Sequence, residues 1–246
     1  MKSRNTQRRE NLAGKVALIT GARQGIGLAI ARALAAAGCN LVITSRNLPH
    51  LHRAAGSLAK QKVRVLPVVC DVRKPESVAS LFAATRREFP RLDILINNAG
   101  VAHANLTVHE LPHEVWKDVI DTNLTGTFLI TRSALLMMKR GGAIVNNLSV
   151  AAKRIFLGSA GYDASKHGAL ALTTALREEL RSRGIRVIAL LPGAADTAIW
   201  DTIWPDAPRK KMMSPDSVAQ AVVNALVLPE QATVEELTIR PSVGTL

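Results

Sequence analysis

From Lys15 onward, short β-branched and aliphatic runs alternate with longer stretches in which alanine and leucine recur at helical spacing. Val16-Ala17-Leu18-Ile19-Thr20 is apolar almost throughout and stops at Gly21, which predicts a strand buried on both faces. Ile26 to Ala37 predicts a helix ended by Gly38, and Asn40 to Thr44 a second strand. Leu48 to Lys60 reads as helix and Val63 to Cys70 as strand. Pro67 cannot donate to a ladder, so that strand belongs at a sheet edge. Pro75 to Phe89 predicts a helix opened by proline, and Leu92 to Ile96 a fourth strand. His113 to Met138 predicts a long helix, bent where Asp121, Thr122, Asn123 and Gly126 gather poor helix formers. A strand at Ala143 to Leu148, a helix at Tyr162 to Arg183, a strand at Arg186 to Leu191, a helix at Pro215 to Leu228 and a strand at Val234 to Ile239 complete the pattern.

Strands that alternate with helices imply right-handed βαβ units and a parallel sheet covered on both faces. The expected fold is α/β: one Rossmann-type, doubly wound domain over residues 12–246, with about seven strands and ligands at their carboxyl ends. Residues 1–11 read as a basic tail, Lys2, Arg4, Arg8 and Arg9 standing against Glu10.

Composition narrows the function classes. With 48% hydrophobic and 21% charged residues, the 246-residue chain is not a disordered one. Two cysteines, Cys39 and Cys70, make neither a disulfide framework nor a zinc site and fit a reducing compartment. No apolar run is long enough for a membrane span, and the first residues lack the apolar core of a secretory signal. A cytoplasmic protein with no membrane partner is expected. The net charge of +13 attracts polyanions, but no helix-turn-helix, RRM or zinc-finger pattern accompanies it, so no specific nucleic-acid partner is expected. The six histidines show no ligand spacing, and no metal is expected. His103 follows the Asn97–Gly100 turn; it is expected at the surface, the alternative being a histidine that reaches substrate.

The first strand runs into Thr20-Gly21-Ala22-Arg23-Gln24-Gly25-Ile26-Gly27. Glycines let a backbone approach a pyrophosphate while the next helix aims its first amides at the phosphates. Taken alone, the spacing equally fits a plain strand-to-helix turn. The second strand ends at Ser45-Arg46, where NAD-preferring sites carry an acid for the ribose 2′-hydroxyl. A guanidinium at Arg46, assisted by Arg23, suits a 2′-phosphate instead. The alternative is two solvated arginines.

These residues are followed by Asp71-Val72, Asn97-Asn98-Ala99-Gly100, Asn123, Ser149, Tyr162-x-x-x-Lys166, and Pro192-Gly193 with Thr197. In this order and spacing the chain resembles the short-chain dehydrogenase/reductase family from Leu12 to Ile239. One minor departure is Ala195, where the family often has valine. The resemblance implies a nicotinamide cofactor held by Gly21, Arg23, Gln24, Gly25, Ile26 and Gly27, with Ser45 and Arg46 at its ribose phosphate. It implies Asp71 and Val72 at the adenine, Asn98, Ala99 and Gly100 along the adenosine ribose, and Lys166 on the nicotinamide ribose. Pro192, Gly193 and Thr197 would hold the carboxamide end. The implied catalytic set is Asn123, Ser149, Tyr162 and Lys166, with Asn123 fixing a water on Lys166.

Chemistry supports that assignment. Tyr162 is the single tyrosine, and Lys166 lies one helical turn further on the same face. A nearby ammonium favours phenolate, so the phenol is expected below its usual pKa of about 10. Ser149, at a strand end, would polarise a carbonyl oxygen, and Tyr162 would donate the proton. The expected activity is NADP(H)-dependent interconversion of a small-molecule carbonyl and secondary alcohol. A 3-oxoacyl-thioester reductase is the variant within the class. A catalytically idle cofactor sensor and a basic polyanion binder are the alternatives from other classes. Residues 194–213 are expected to form a mobile lid, with Trp200, Trp204, Ile199 and Ile203 as pocket wall and Arg209-Lys210-Lys211 as a solvated charge cluster. The resemblance also implies a homo-oligomer, tetramer or dimer, paired through the helices that carry Leu129, Leu135, Leu136, Leu170, Leu172 and Leu176 on outer faces.

Overall fold

The computed structural model describes residues 12–229 and 231–244; the basic tail and the last two residues lie outside them. Seven parallel strands, β1 Val16–Thr20, β2 Asn40–Ser45, β3 Val65–Val69, β4 Leu92–Asn97, β5 Met138–Asn147, β6 Arg186–Pro192 and β7 Glu236–Ile239, lie in the order β3-β2-β1-β4-β5-β6-β7. Helices α1 Gly25–Ala36, α2 Leu48–Ala59, α3 Pro75–Glu88, α4 His113–Ile120, α5 Gly126–Ala134, α6 Ala160–Arg181, the short α7 Trp200–Ile203 and α8 Pro215–Leu226 complete the fold. Among the described residues no helix is long and apolar enough to cross a membrane.

Strand side chains alternate between two cores. Ala17, Ile19, Leu41, Ile43, Ile96 and Ile188 pack with Ile30 and Leu34 of α1, Leu51 of α2 and Val222 of α8. Val16, Leu18, Val42, Leu95 and Val187 pack on the other face with Phe82 of α3, Ile130 of α5 and Leu180 of α6. Burial on both faces is why the strands read as continuous apolar runs. Pro67 sits in the edge strand β3, where its missing N–H costs no ladder bond.

Two boundaries differ from the sequence pattern. The helix expected over His113 to Met138 is α4, one π turn over Asp121–Thr125, and α5, which ends at Ala134. Strand β5 then starts at Met138 rather than Ala143, through a stretch in which the register with β4 shifts and Gly141 takes φ +82°. The expected bend is real, and it is an inserted residue in the helical ladder, a feature frequent at functional sites. The outer-face assignment of two leucines is also corrected: Leu129 and Leu176 are buried in the protein's own core. Leu135 and Leu172 pack partly against it, and Leu136 is exposed.

The chain leaves β3 and crosses to β4 on the far side of β1, which opens a crevice at the carboxyl ends of β1 and β4. Polar side chains knit that rim. Thr20 Oγ1 accepts from the amides of Asn98 and Ala99, each at 2.9 Å. Asn98 Nδ2 donates to the carbonyls of Thr20 and Gly21 at 2.9 and 3.2 Å, and Asn98 Oδ1 accepts from Asn147 Nδ2 at 2.8 Å. One side chain thus ties β1, β4 and β5 together. Below it, Asn97 donates to Asn146 and Thr131, and Asn146 donates to Thr173 of α6.

Gly27 is dictated by this knot. A Cβ there would stand 2.3 Å from Asn98 Nδ2 and 2.7 Å from the Gly21 carbonyl, and Asn98 cannot yield without losing its bonds. Gly27→Ala is expected to destabilise by about 3 kcal/mol, lowering Tm by about 6–12 °C. Gly56→Ala, in helix α2 with nothing within 4 Å of the new methyl, is expected to raise Tm slightly. Thermal melting of both variants checks the contrast; equal shifts would refute the packing argument.

Candidate active site

A cleft of about 650 Å³ runs along the carboxyl rim from Arg46 to Trp204. Its walls include Gly21, Arg23, Gln24, Gly25, Ile26, Ser45, Arg46, Asp71, Val72, Asn98, Ala99 and Gly100 at one end. Ser149, Tyr162, Lys166, Pro192, Gly193 and Thr197 line the other. The sequence-predicted residues therefore converge, with two exceptions. Gly27 lies behind the wall, packed on Asn98. Asn123 is also set back from the cleft, and its side chain makes three hydrogen bonds within the protein. Its Oδ1 accepts from Val101 N at 2.9 Å, and its Nδ2 donates to Val101 O and Ser165 Oγ, each at 2.9 Å. The carboxamide is a clamp between the π turn, α6 and the loop after β4.

At the first end the backbone is shaped for close approach. Gly21 and Gly25 take φ +66° and +58°, and a Cβ on them would meet Ala99 Cα at 3.0 Å and Thr197 Cγ2 at 3.2 Å. Helix α1 opens with no side-chain cap and no acid in its first turn, which leaves its positive end for an anion. Arg46 is exposed beside it, and Arg23 Nη1 donates to His50 Nδ1 at 3.4 Å. Ser45 closes β2 on the cleft wall, and its Oγ accepts from Asn47 N at 3.3 Å. Sequence reading missed Arg73. Its guanidinium grips the Asp71 carboxylate, Nε at 2.9 and 3.1 Å and Nη2 at 2.6 Å, while the other arm reaches Asp118 on α4. The hydrogen bonds from Arg73 hold Asp71 below the usual carboxylate range.

At the second end Ser149 leaves β5, and Tyr162 and Lys166 leave the first turns of α6. Ser149 and the Tyr162 phenol line the same end of the cleft, and the serine hydroxyl, which accepts from Ala151 N at 3.1 Å, acts to lower the phenol's pKa. Lys166 Nζ donates to the Asn147 carbonyl at 3.1 Å and stands 5.5 Å from the centre of the tyrosine ring. The expected lowering of the phenol pKa is not present in the free protein. Burial pushes Tyr162 up to about 12, and only the Ser149 hydroxyl acts against it. Lys166 is itself lowered to about 8 by burial, so it remains an ammonium at neutral pH, yet the burial of the phenol prevails over it.

Over this end lies the 194–213 segment. An isolated bridge joins Ala195 to Met213, and Trp200 Nε1 donates to the Ala195 carbonyl at 2.9 Å. Arg209 is not a solvated charge: it donates to Asp196 at 3.0 Å, to the Thr197 carbonyl at 2.6 Å and to Asp201 at 2.5 Å, closing the segment on itself. Lys210 and Lys211 are exposed. No histidine, cysteine or carboxylate cluster among the described residues has the form of a metal site.

The fold and this cleft define a dinucleotide-dependent oxidoreductase of the α/β class, and the comparisons give its family. The short chain dehydrogenase model matches residues 15–208. An uncharacterised oxidoreductase of Staphylococcus aureus strain MRSA252 is 36% identical over 94% of this chain and 98% of its own. The alcohol dehydrogenase of Thermococcus sibiricus, solved with 5-hydroxy-NADP, is 34% identical with a TM-score of 0.87, covering 94% of this chain and 97% of that one. The 3-ketoacyl-(acyl-carrier-protein) reductase of Brucella melitensis, solved with NADH, is 31% identical with a TM-score of 0.84, covering 93% and 97%. The chain belongs to the short-chain dehydrogenase/reductase family and is an NAD(P)-dependent oxidoreductase.

Proposed function

We propose that the protein is an NADP(H)-dependent reductase of carbonyl compounds, working in reverse on secondary alcohols. The observation that carries the reading is one continuous cleft: at one end two arginines flank an uncapped helix start, at the other stand Ser149, Tyr162 and Lys166. The glycine cradle and the open first turn of α1 fit a pyrophosphate, and the cleft's volume fits a dinucleotide with a small substrate. When bound, the cofactor supplies or accepts the hydride.

The chain's own residues do the rest. Arg46 and Arg23 pair with the ribose 2′-phosphate, which Ser45 accommodates where an acid would repel it. Asp71, Val72, Asn98, Ala99 and Gly100 hold the adenosine half, and Gln24, Ile26, Pro192, Gly193 and Thr197 flank the rest. Lys166 binds the nicotinamide ribose hydroxyls and adds positive charge near the phenol. Ser149 donates to the substrate oxygen, and Tyr162 passes it a proton, or takes one back in oxidation. Asn123, the fourth member of the proposed catalytic set, fixes a water on Lys166 and holds the loop after β4 and α6 in register. The 194–213 segment closes on substrate through Trp200 and Trp204 and shields the reaction from water. A 3-ketoacyl-thioester reductase is the second reading, favoured by the likeness to the Brucella enzyme.

The test is a panel of ketones, aldehydes and 3-oxoacyl thioesters read by the absorbance of the reduced cofactor. Turnover with NADPH at higher kcat/KM than with NADH is expected; equal or better efficiency with NADH removes the cofactor assignment. Trp200→Ala and Trp204→Ala should shift substrate preference with little change in NADPH affinity. A monomer in sedimentation at micromolar concentration would remove the proposed homo-tetramer or dimer.

A further inference from the structure

The helix that carries Tyr162 is capped from outside itself. Ser159 stands at the N-cap of α6 yet makes no capping bond; its hydroxyl points to Asn105 Oδ1 at 3.4 Å. The orphan amide that such a cap serves is the third of the helix, here the N–H of Tyr162. That amide donates to His103 Nε2 at 3.4 Å. The imidazole is held in the orientation this needs. Nδ1 lies 2.7 Å from the Ala104 carbonyl, which can only accept, so Nδ1 carries the proton and Nε2 is free to accept. His103 is buried, contrary to the surface position its sequence context suggests.

The neighbourhood is built around this contact. A Cβ on Gly161 would stand 3.2 Å from His103 Nε2 and 3.3 Å from Cδ2, so glycine makes room for the ring against the helix start. The loop that carries His103 is fixed at both ends. Val101 is clamped through both backbone atoms by Asn123, and Leu106 N donates to the Gly158 carbonyl at 3.0 Å. Asp163, next to Tyr162, accepts from Phe156 N at 2.8 Å and pins the cleft-lining segment before α6 to the same turn.

We propose that His103 is a positioning residue for Tyr162: its Nε2 holds the first turn of α6 by the tyrosine's own amide and so sets the phenol against Ser149. This rests on Tyr162 being the proton donor of the proposed reaction. An error of about 1 Å in such a group costs on the order of 10²-fold in rate, so a loosened first turn is felt in kcat before it is felt in cofactor binding.

The experiment has an arm that needs no turnover. In the parent protein, amide hydrogen exchange read by NMR should find Tyr162 N–H slower than the N–H groups of Ala160 and Gly161. Comparable fast exchange at all three overturns the contact whatever the enzyme's substrate proves to be. If the parent reduces no carbonyl, the functional reading falls and this arm still decides the contact. With a reducible ketone in hand, His103→Leu should lower kcat by about tenfold or more, with KM for NADPH within about twofold of the parent. His103→Gln, whose amide can accept from Tyr162 and donate to Ala104, should restore kcat to within about threefold. Parental kcat in His103→Leu overturns the proposal. So does an equal loss in His103→Gln when both variants melt like the parent, since shape rather than the acceptor would then matter. Should His103→Leu fail to fold, Gly161→Ala decides: a fall in kcat without a change in KM supports the role, and parental kcat overturns it.

Discussion

Tyr162→Phe is expected to lose about 10²–10⁴-fold in turnover while binding NADPH nearly as well as the parent. The substitution removes one oxygen and leaves the ring, so the contact with the Lys166 ammonium 5.5 Å from its centre survives. What goes is the proton that Ser149 and the cleft hold ready. In the free protein burial keeps the phenol protonated to about pH 12, which suits a donor and makes a poor base. A second positive charge beside it would lower that value towards the working range, so oxidation of an alcohol should depend more steeply on alkaline pH than reduction does. Because Tyr162 is the only tyrosine, tyrosinate absorbance reports this group alone, and added NADP⁺ should move its midpoint down. Retention of more than about a tenth of parental turnover by the phenylalanine variant would contradict the assigned role.

Much of the fold was legible because its strands are buried on both faces. Runs such as Val16–Thr20 and Arg186–Pro192 carry no competing helical period, and Pro67 marked the edge by chemistry alone. The second half of the expected long helix was not legible. Residues after Ala134 keep helical composition, and only the tertiary pairing of Met138 with Leu92 makes them strand. The cleft residues were legible as a set because β-strand ends bring them to one rim, although each motif alone was ambiguous. The residues that hold the set in place were not. Asn97, Asn146, Arg73, Arg209 and His103 act through partners 12 to 59 residues away, several of them on loops whose path has no periodicity. The repeated Asn-Asn pairs at the ends of β4 and β5 were the one available signal for the first two.

Lys166 should make the protein less stable than it would be without it. The residue is 6% exposed, its one hydrogen-bond partner among the described residues is the Asn147 carbonyl, and desolvation alone accounts for its descent to about 8. At pH 7 the folded state holds an ammonium that the unfolded chain solvates better, a difference of about 3 kcal/mol. The folded pKa lies below the unfolded one, so between about 8 and 10.5 the unfolded chain binds more protons and stability rises with pH. The relief is complete above 10.5 and lost as pH falls through 8. Tyr162 acts oppositely from about 10 to 12, where the folded state keeps the proton and stability falls. Lys166→Met keeps the aliphatic stem and removes the charge, at the cost of about 1–3 kcal/mol for an unpaired Asn147 carbonyl. The expected net gain at pH 7 is about 1 kcal/mol, or about 2–4 °C in Tm, together with a loss of activity. That gain should shrink between pH 8 and 10, because the parent sheds its penalty there and methionine has none to shed. A variant that melts below the parent at pH 7, or whose advantage is the same at pH 7 and pH 10, would show that the lysine is not held charged against the stability of the fold.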